Sequence, residues 1–251
     1  MKGSLAMTAT PDTTARTSRP AYPPALLFDL DGTLIDSVYQ HVLAWHEALL
    51  DAGIELSVWK LHRRIGMSGG LFVTALLRES GARLSAEQIR DLDFAHGQAF
   101  ERWRGTVRAL PGARQLLGAL TEHDVPWTIA TSGLAVTARP SLELLGLPAD
   151  HPMITRDTVR HAKPDPDLFL AAADRVGVEI RTAIVVGDSV WDLLAARRAG
   201  ALGVGLLSGG YAREDLERAG AYRVDADPAD LLQHLDEVGV RDLLPAPVAH
   251  P

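Results

Sequence analysis

Apolar runs of strand length alternate with amphipathic helical segments from about residue 108 onward. Four runs have strand length: 127–130, 183–186, 203–207 and a weaker one at 221–224. Six segments between and after them show helical spacing of apolar residues: 113–122, 136–145, 166–176, 190–199, 214–219 and 229–238. Such alternation predicts a parallel sheet covered by helices on both faces, and residues 25–29 supply one more buried strand. The predicted fold class is therefore α/β with a parallel-sheet core.

Residues 38–107 show a helical pattern only. Apolar residues at spacings of four, three and four predict the first helix: Val38, Val42, Trp45 and Leu49. Ser57 is placed to begin a short second helix, and 69–80 is the third. Ser85 with Gln88 forms a capping-box pattern that opens a fourth helix.

These patterns divide the chain into a core, an insertion and two tails. We assign 25–37 and 108–237 to the Rossmann-like α/β core. Residues 38–107 form an all-helical subdomain inserted after the first strand, because loops beyond about 15 residues normally carry structure of their own. Both ends of the chain lack helical and strand periodicity and are predicted to be tails. Residues 1–24 are rich in Thr, Ala, Pro and Ser and are expected to be flexible, and residues 238–251 are rich in Pro.

Composition and charge narrow the functional class. A net charge of −7 argues against a nucleic-acid partner. The sequence contains no stretch of 18 apolar residues, so we expect no transmembrane helix and no membrane partner. The first residues lack the apolar segment of a secretory signal, so we expect a cytoplasmic protein. The absence of Cys excludes disulfides, thiolate metal sites and a cysteine nucleophile.

Acidic residues follow two of the predicted strands. Asp29 and Asp31 end the first strand, and Asp188 ends the strand at 183–186, with Asp192 one helical turn further on. An Asp-Gly turn with solvated acids, or for Asp192 a favourable place in the first turn of a helix, would also explain these residues. Ligands of open α/β sheets, however, bind where the carboxyl ends of the strands meet.

Two further segments offer groups for binding an anion. Thr131, Ser132 and Gly133 form a hydroxyl-bearing turn after the strand at 127–130, although Ser132 would also serve as an ordinary helix cap. Lys163 is one of three lysines in a chain with 22 arginines, and it lies just before a predicted helix. A cation in that position suggests an anionic partner. Oxygen ligands without Cys suit Mg²⁺, and a cation, a Lys and an anion-binding turn together suit a phosphoryl group.

The motifs DLDGT, ATSG, AKPDP and VVGDSVWD resemble, in order, the four signature motifs of the haloacid dehalogenase superfamily. The spacing is similar to that of its phosphatase branch with a helical cap, as in phosphoglycolate phosphatase and β-phosphoglucomutase. The resemblance covers about residues 25–237. It implies a Rossmann-like core, a mobile cap, Mg²⁺ and a small phosphomonoester substrate.

The resemblance also implies roles for individual residues. Asp29 would be the nucleophile that forms an aspartyl-phosphate, and Asp31 the general acid and base. The phosphate would be held by the side chains or backbone amides of four residues: Thr131, Ser132, Gly133 and Lys163. Mg²⁺ would be bound by Asp29, by the backbone carbonyl of Asp31 and by Asp188, with support from Asp192.

Several alternatives can be weighed on the same residues. Dehalogenases and phosphonate-cleaving relatives lack the second acid of the first motif, so Asp31 argues against both activities. A signalling receiver domain needs about half this length and no insertion. A sugar phosphomutase stays open as the alternative, because its core residues would be identical.

The insertion should select the substrate. Arg63, Arg64 and Met67 lie in a Gly-containing turn between helices and are the candidate specificity residues, although solvated arginines explain Arg63 and Arg64 as well. A sugar phosphate is the expected substrate class. A further resemblance, to a phosphatase of aromatic polyketide antibiotic biosynthesis, implies the 5-phosphate of a ribosyl group that is carbon-linked to an aromatic ring. We expect a monomer.

Overall fold

The computed structural model describes residues 24–240, so the predicted tails lie outside the described residues except for their innermost positions. Eight strands are present in this range: β1 (Leu26–Phe28), β2 (Ile35–Asp36), β3 (Arg108–Ala109), β4 (Trp127–Ala130), β5 (Met153–Ile154), β6 (Ile184–Gly187), β7 (Leu202–Leu206) and β8 (Ala221–Asp225). Ten α-helices accompany them: α1 (Val38–Asp51), α2 (Val58–His62), α3 (Gly69–Ser80), α4 (Ala86–Trp103), α5 (Ala113–Glu122), α6 (Ala135–Leu144), α7 (Asp167–Val176), α8 (Val190–Ala199), α9 (Arg213–Ala219) and α10 (Pro228–Gln233).

Six of the strands form one parallel sheet in the order β5-β4-β1-β6-β7-β8. Side chains of β1 alternate between the two faces, as the pleat requires. Leu26 and Phe28 pack into the core cluster that includes α5, and Leu27 packs into the cluster on the other face with α7 and α8. The predicted Rossmann-like α/β fold is confirmed. The chain leaves β1 with β4 on one side and β6 on the other, which is where open α/β sheets form a ligand crevice.

Helices α1–α4 form a helical insertion with a hydrophobic core of its own. Trp45 of α1, Phe72 of α3 and Leu92 of α4 are buried together in that core. The capping box at the start of α4 is present, with Ser85 Oγ 3.2 Å from the backbone N of Gln88. Ser57 directly precedes α2 as expected, but its side chain makes no capping hydrogen bond.

Three features differ from the sequence prediction. Strands β2 and β3 pair antiparallel where the chain enters and leaves the helical insertion, and the apolar pattern predicts no strand at either place. Two-residue strands such as these and β5 are too short to produce a recognisable alternation. The helix expected over 229–238 ends at Gln233 and is followed by the 3₁₀ turn Leu235–Val238. Within residues 24–240, no helix is long and apolar enough to span a bilayer.

Candidate active site

Three buried carboxylates meet at the carboxyl ends of the central strands. Asp29 follows β1, Asp188 follows β6, and Asp192 lies in the first turn of α8. Each contributes a carboxylate oxygen to a group in which these atoms all lie within 4.8 Å of one another. Because β1 and β6 are parallel neighbours, their ends bring Asp29 and Asp188 to the same edge of the sheet.

Lys163 is fully buried and pairs with two of these acids. Its Nζ contacts Asp29 Oδ1 and lies 2.7 Å from Asp192 Oδ1. Burial acts to lower the pKa of Lys163, but the charges of Asp192 and Asp29 raise the pKa above its ordinary value. Burial raises the pKa of Asp29 to about 7, even though Lys163 acts in the opposite direction. The single buried ammonium therefore compensates only part of the negative charge around it.

Glycines leave the room that these carboxylates occupy. A Cβ on Gly209 would lie 1.7 Å from Asp188 Oδ2, and one on Gly32 would lie 2.5 Å from the same oxygen. A Cβ on Gly187 would lie 2.3 Å from the Cβ of Asp192. The glycines in the DLDGT and VVGDSVWD motifs are thus steric requirements of the acid cluster.

The donor set of this cluster fits a hard divalent cation. Burial, together with Asp192 and Asp29, raises the pKa of Asp188 well above its ordinary value, so the cluster lacks positive charge. Both oxygens of Asp192 are already engaged: Oδ1 lies beside Lys163, and Oδ2 accepts hydrogen bonds from the backbone and side chain of Ser189. Asp29 and Asp188 are therefore the better candidates for direct ligands, and carboxylate oxygens are what Mg²⁺ prefers.

Asp31 lies beside the cluster and has separate partners. Its Oδ1 accepts a hydrogen bond of 2.6 Å from Ser37 Oγ and lies 3.3 Å from His41 Nε2. Burial acts to raise the pKa of Asp31, but the charge of His41 and the hydrogen bonds from His41 and Ser37 outweigh it and lower the pKa.

The predicted anion-binding turn lines a cavity of about 190 Å³. Asp29 and Asp31 line the same cavity as the three residues of the turn, Thr131, Ser132 and Gly133. The backbone N–H of Gly133 donates to Thr131 Oγ1 at 2.9 Å, so this donor is satisfied within the turn. The hydroxyl of Ser132 donates to the carbonyl of Gly66 at 3.0 Å, which ties the turn to the helical insertion. The insertion therefore closes over the acids.

Sequence reasoning missed the walls of this cavity. Trp45, Phe72, Phe100 and a histidine pair line it from α1, α3 and α4. His41 Nδ1 lies 3.2 Å from His96 Nε2, and the rings of His41 and Phe100 stack with centroids 4.0 Å apart. Burial, assisted by His41, holds the pKa of His96 well below its ordinary value. The available sequence signal was a spacing of four residues, between His41 and Trp45 in α1 and between His96 and Phe100 in α4.

The predicted specificity residues separate into two groups. Met67 lines the cavity with the acids, but Arg63 and Arg64 do not. Arg63 Nη1 forms a 2.7 Å salt bridge with Asp215 Oδ2, and Arg64 lies 3.5 Å from a carboxylate oxygen of Glu79. The two arginines line a second cavity of about 260 Å³. Arg63 and Arg64 therefore do not face a substrate in the acid-lined cavity.

Comparisons with known proteins agree with this geometry. A family model described as haloacid dehalogenase-like hydrolase matches residues 23–200. The chain is 36% identical to a phosphoglycolate phosphatase of Rhodospirillum rubrum, over 83% of this chain and 89% of that protein. It is 34% identical to hexitol phosphatase A of Escherichia coli, over 69% and 78% of the two chains. A solved hydrolase from Pseudomonas syringae superposes with a TM-score of 0.85 at 53% identity, covering 86% of this chain and all of that one.

Proposed function

The chain belongs to the haloacid dehalogenase-like hydrolase family and is a phosphatase, and we propose that it hydrolyses a small phosphomonoester with Mg²⁺ through a phosphorylated Asp29. The observation that carries this proposal is the position of Asp29, which contacts Lys163 and shares a cavity with Asp31 and Thr131. A cavity of about 190 Å³ is below the usual range for drug-sized ligands, which favours a small substrate.

In the first step, a carboxylate oxygen of Asp29 attacks phosphorus in line with the ester bond. The bond between phosphorus and the leaving oxygen breaks, and that oxygen takes a proton from Asp31. Lys163 offsets negative charge on the phosphoryl oxygens. For this step Asp31 must carry a proton, and His41 Nε2, 3.3 Å away, is positioned to share it.

In the second step, water attacks phosphorus of the aspartyl-phosphate. Asp31, now ionised, takes a proton from the water, and the bond to Asp29 breaks with release of inorganic phosphate. The lowered pKa of Asp31 suits this step, because its ionised form is the base. Asp31 thereby regains the proton that it gave to the leaving group.

Asp29, Asp188 and the backbone carbonyl of Asp31 would hold Mg²⁺, with Asp192 keeping Lys163 and Ser189 in place. When bound, Mg²⁺ neutralises phosphoryl charge and keeps Asp29 ionised. This ionisation matters here because burial raises the pKa of Asp29 to about 7.

The helical insertion would act as a cap. Its loop contacts the core through Ser68, whose backbone N–H donates to the carbonyl of Lys163 at 2.9 Å. A closed cap keeps bulk water from the reacting groups and must open to exchange substrate and product. Two of the relatives are a phosphoglycolate phosphatase and a hexitol phosphatase. For this chain we propose a sugar phosphate, and the cavity volume of about 190 Å³ favours it over the larger ribosyl 5-phosphate joined to an aromatic ring.

A phosphatase and a sugar phosphomutase differ in the fate of the phosphoryl group. Two of the relatives named above are phosphatases, which favours net release of phosphate. Inorganic phosphate should therefore appear in proportion to the substrate consumed. An isomeric sugar phosphate without free phosphate would identify a mutase instead.

The test is phosphate release from p-nitrophenyl phosphate and from sugar phosphates, with Mg²⁺ and with EDTA. Asp29→Asn should lower kcat by more than about 100-fold, because no carboxylate remains to accept the phosphoryl group. Asp36→Asn, at an exposed position in β2, is the matched control and should keep wild-type rates. Wild-type activity in the Asp29→Asn variant, or full activity of the wild-type protein in EDTA, would contradict the proposed chemistry.

A further inference from the structure

A second cation, Arg156, lines the cavity with the acids and plays no part in the proposed chemistry. It follows β5, and its backbone N–H donates to the carbonyl of Gly133 at 3.0 Å. Among residues 24–240, no carboxylate lies within the 4.0 Å of its guanidinium that would make a salt bridge. Arg63 and Arg64, which line the second cavity, each form a salt bridge with a carboxylate, so Arg156 differs from them.

The guanidinium of Arg156 lies against the start of α3. Its Nη1 occupies the space that a Cβ on Gly69 would fill, at 1.6 Å, so a glycine is required there. Gly69 is the first residue of α3, whose exposed N–H groups make that end of the helix positive. The guanidinium of Arg156 and the positive end of α3 repel each other unless a hydrogen-bond acceptor lies between or beside them. The cavity is the side from which a bound ligand can supply such atoms.

Asp93 of α4 lines the same cavity. Asp93 is exposed to solvent, but partial desolvation still raises its pKa. The charge of Arg156 opposes this change, so the two side chains interact electrostatically. They do not form a direct ion pair within 4.0 Å. A ligand group that accepts a hydrogen bond from Arg156 and donates one to Asp93 would satisfy both residues, and a hydroxyl does both.

The charge balance of this part of the cavity favours an uncharged leaving group. Arg156 and Asp93 carry opposite charges, and the rest of the wall includes the aromatic side chains of Trp45, Phe72 and Phe100. A leaving group with its own carboxylate would gain Arg156 but would be repelled by Asp93 and by the acid cluster. A ring or chain bearing hydroxyls can meet both polar residues and pack against the aromatic surfaces.

We propose that Arg156 and Asp93 are specificity residues that bind hydroxyl groups of a sugar or sugar-alcohol leaving group, so that the enzyme prefers such phosphomonoesters to small carboxylate-bearing ones. The inference rests on the proposed phosphatase function and adds the chemical class of the leaving group. One residue comes from the core and the other from the helical insertion, so both contact the substrate only when the insertion is closed.

The test measures kcat/KM for three substrates: ribose 5-phosphate, 2-phosphoglycolate and phenyl phosphate, whose leaving group carries no second polar group. The variants are Arg156→Ala and Asp93→Ala. Arg160→Ala and Asp91→Ala are matched controls at exposed neighbouring positions that do not line the cavity. Phenyl phosphate reports the chemistry and the fold, because it cannot use either specificity residue.

Wild type should favour ribose 5-phosphate over 2-phosphoglycolate. Arg156→Ala should lower kcat/KM for ribose 5-phosphate about 10- to 100-fold, the value of a hydrogen bond to a charged group, with KM carrying most of the change. Asp93→Ala should act in the same direction and should also improve 2-phosphoglycolate turnover. Phenyl phosphate should change less than about twofold in every variant.

Different results would overturn different claims. A preference for 2-phosphoglycolate that Arg156→Ala abolishes would show that Arg156 binds a carboxylate and would overturn the inference alone. Equal losses on ribose 5-phosphate and phenyl phosphate would give Arg156 a structural role and would also overturn it. No phosphate release from any substrate by wild type would overturn the proposed function itself.

Discussion

Replacing the buried lysine gives the sharpest test of the acid cluster. Within residues 24–240, Lys163→Met removes the only ammonium in contact with Asp29 and Asp192, and it keeps a side chain of similar length. The aliphatic part can still pack on Phe169, whose ring centroid lies 5.1 Å from Nζ. The substitution therefore changes charge much more than volume.

The expected loss of stability follows from the burial of the group. Breaking a buried ion pair by removing one partner costs about 3–5 kcal/mol, because the other charge stays behind without compensation. For a chain of this size, each kcal/mol lowers Tm by about 2–4 °C, so the loss in EDTA should be about 6–20 °C. Mg²⁺ should recover part of it, since a divalent cation supplies positive charge to the same carboxylates.

Mildly acidic pH should also reduce the loss of stability that Lys163→Met causes. The folded-state pKa values of Asp29 and Asp188 are raised above their ordinary values, so these groups take up protons in the folded protein before they would in the unfolded chain. Below about pH 7, protonation progressively removes the charge that Lys163 no longer balances.

The assay is thermal unfolding followed by circular dichroism, with EDTA and with Mg²⁺, at neutral and mildly acidic pH. Lys60→Met removes the same charge from the helical insertion, away from any buried acid, and should shift Tm by less than about 2 °C. A Lys163→Met protein that melts within about 2 °C of wild type in EDTA would refute the idea that Lys163 compensates the cluster.

Three further predictions concern the metal, a glycine and the histidine pair. Asp188→Asn should raise the Mg²⁺ concentration for half-maximal phosphate release by more than about tenfold, and an unchanged Mg²⁺ titration would remove Asp188 from the ligands. Gly209→Ala should lower kcat about 100-fold, because its Cβ would lie 1.7 Å from Asp188 Oδ2, whereas Gly118→Ala, which meets no atom within 4 Å, should keep wild-type rates. Because the pKa of His96 is depressed in the folded state, its contribution to stability should be fully present above pH 6.5 and fall by up to about 1.4 kcal/mol per pH unit below it. Chemical denaturation of His96→Phe checks this, because the difference in unfolding free energy between the variant and wild type should change with pH below 6.5.

Much of the fold could be predicted because its signals are local. The strands of the main sheet that exceed two residues were found from their apolar runs, and α4 was found from Ser85 and Gln88. The parallel arrangement then brought Asp29, Thr131 and Asp188 to one edge. What the local pattern could not show was the pairing of β2 with β3, because two residues carry no periodicity.

The contacts of single side chains were harder to predict. Lys163 was expected to face an anionic partner, and in the structure it lies between two carboxylates. Arg63 and Arg64 were chosen because a glycine-containing turn follows them, yet Arg63 pairs with Asp215 from a segment 152 residues away. A distant partner of this kind leaves no mark on the sequence around the residue that it engages.

The way the cavity is assembled explains why the positions of the acids could be predicted and the contacts of the wall residues could not. The acids that would carry the chemistry each end a strand or begin a helix of one rigid sheet, so their positions follow from the fold. The cavity wall is made by the insertion together with core residues that include Arg156 and the turn at Thr131, and it exists only where the insertion and the core meet. Gly69 shows how closely they meet, since one methyl group there would displace Arg156. The same core can therefore serve different leaving groups, because a change of a few wall residues alters recognition without moving Asp29 or Lys163.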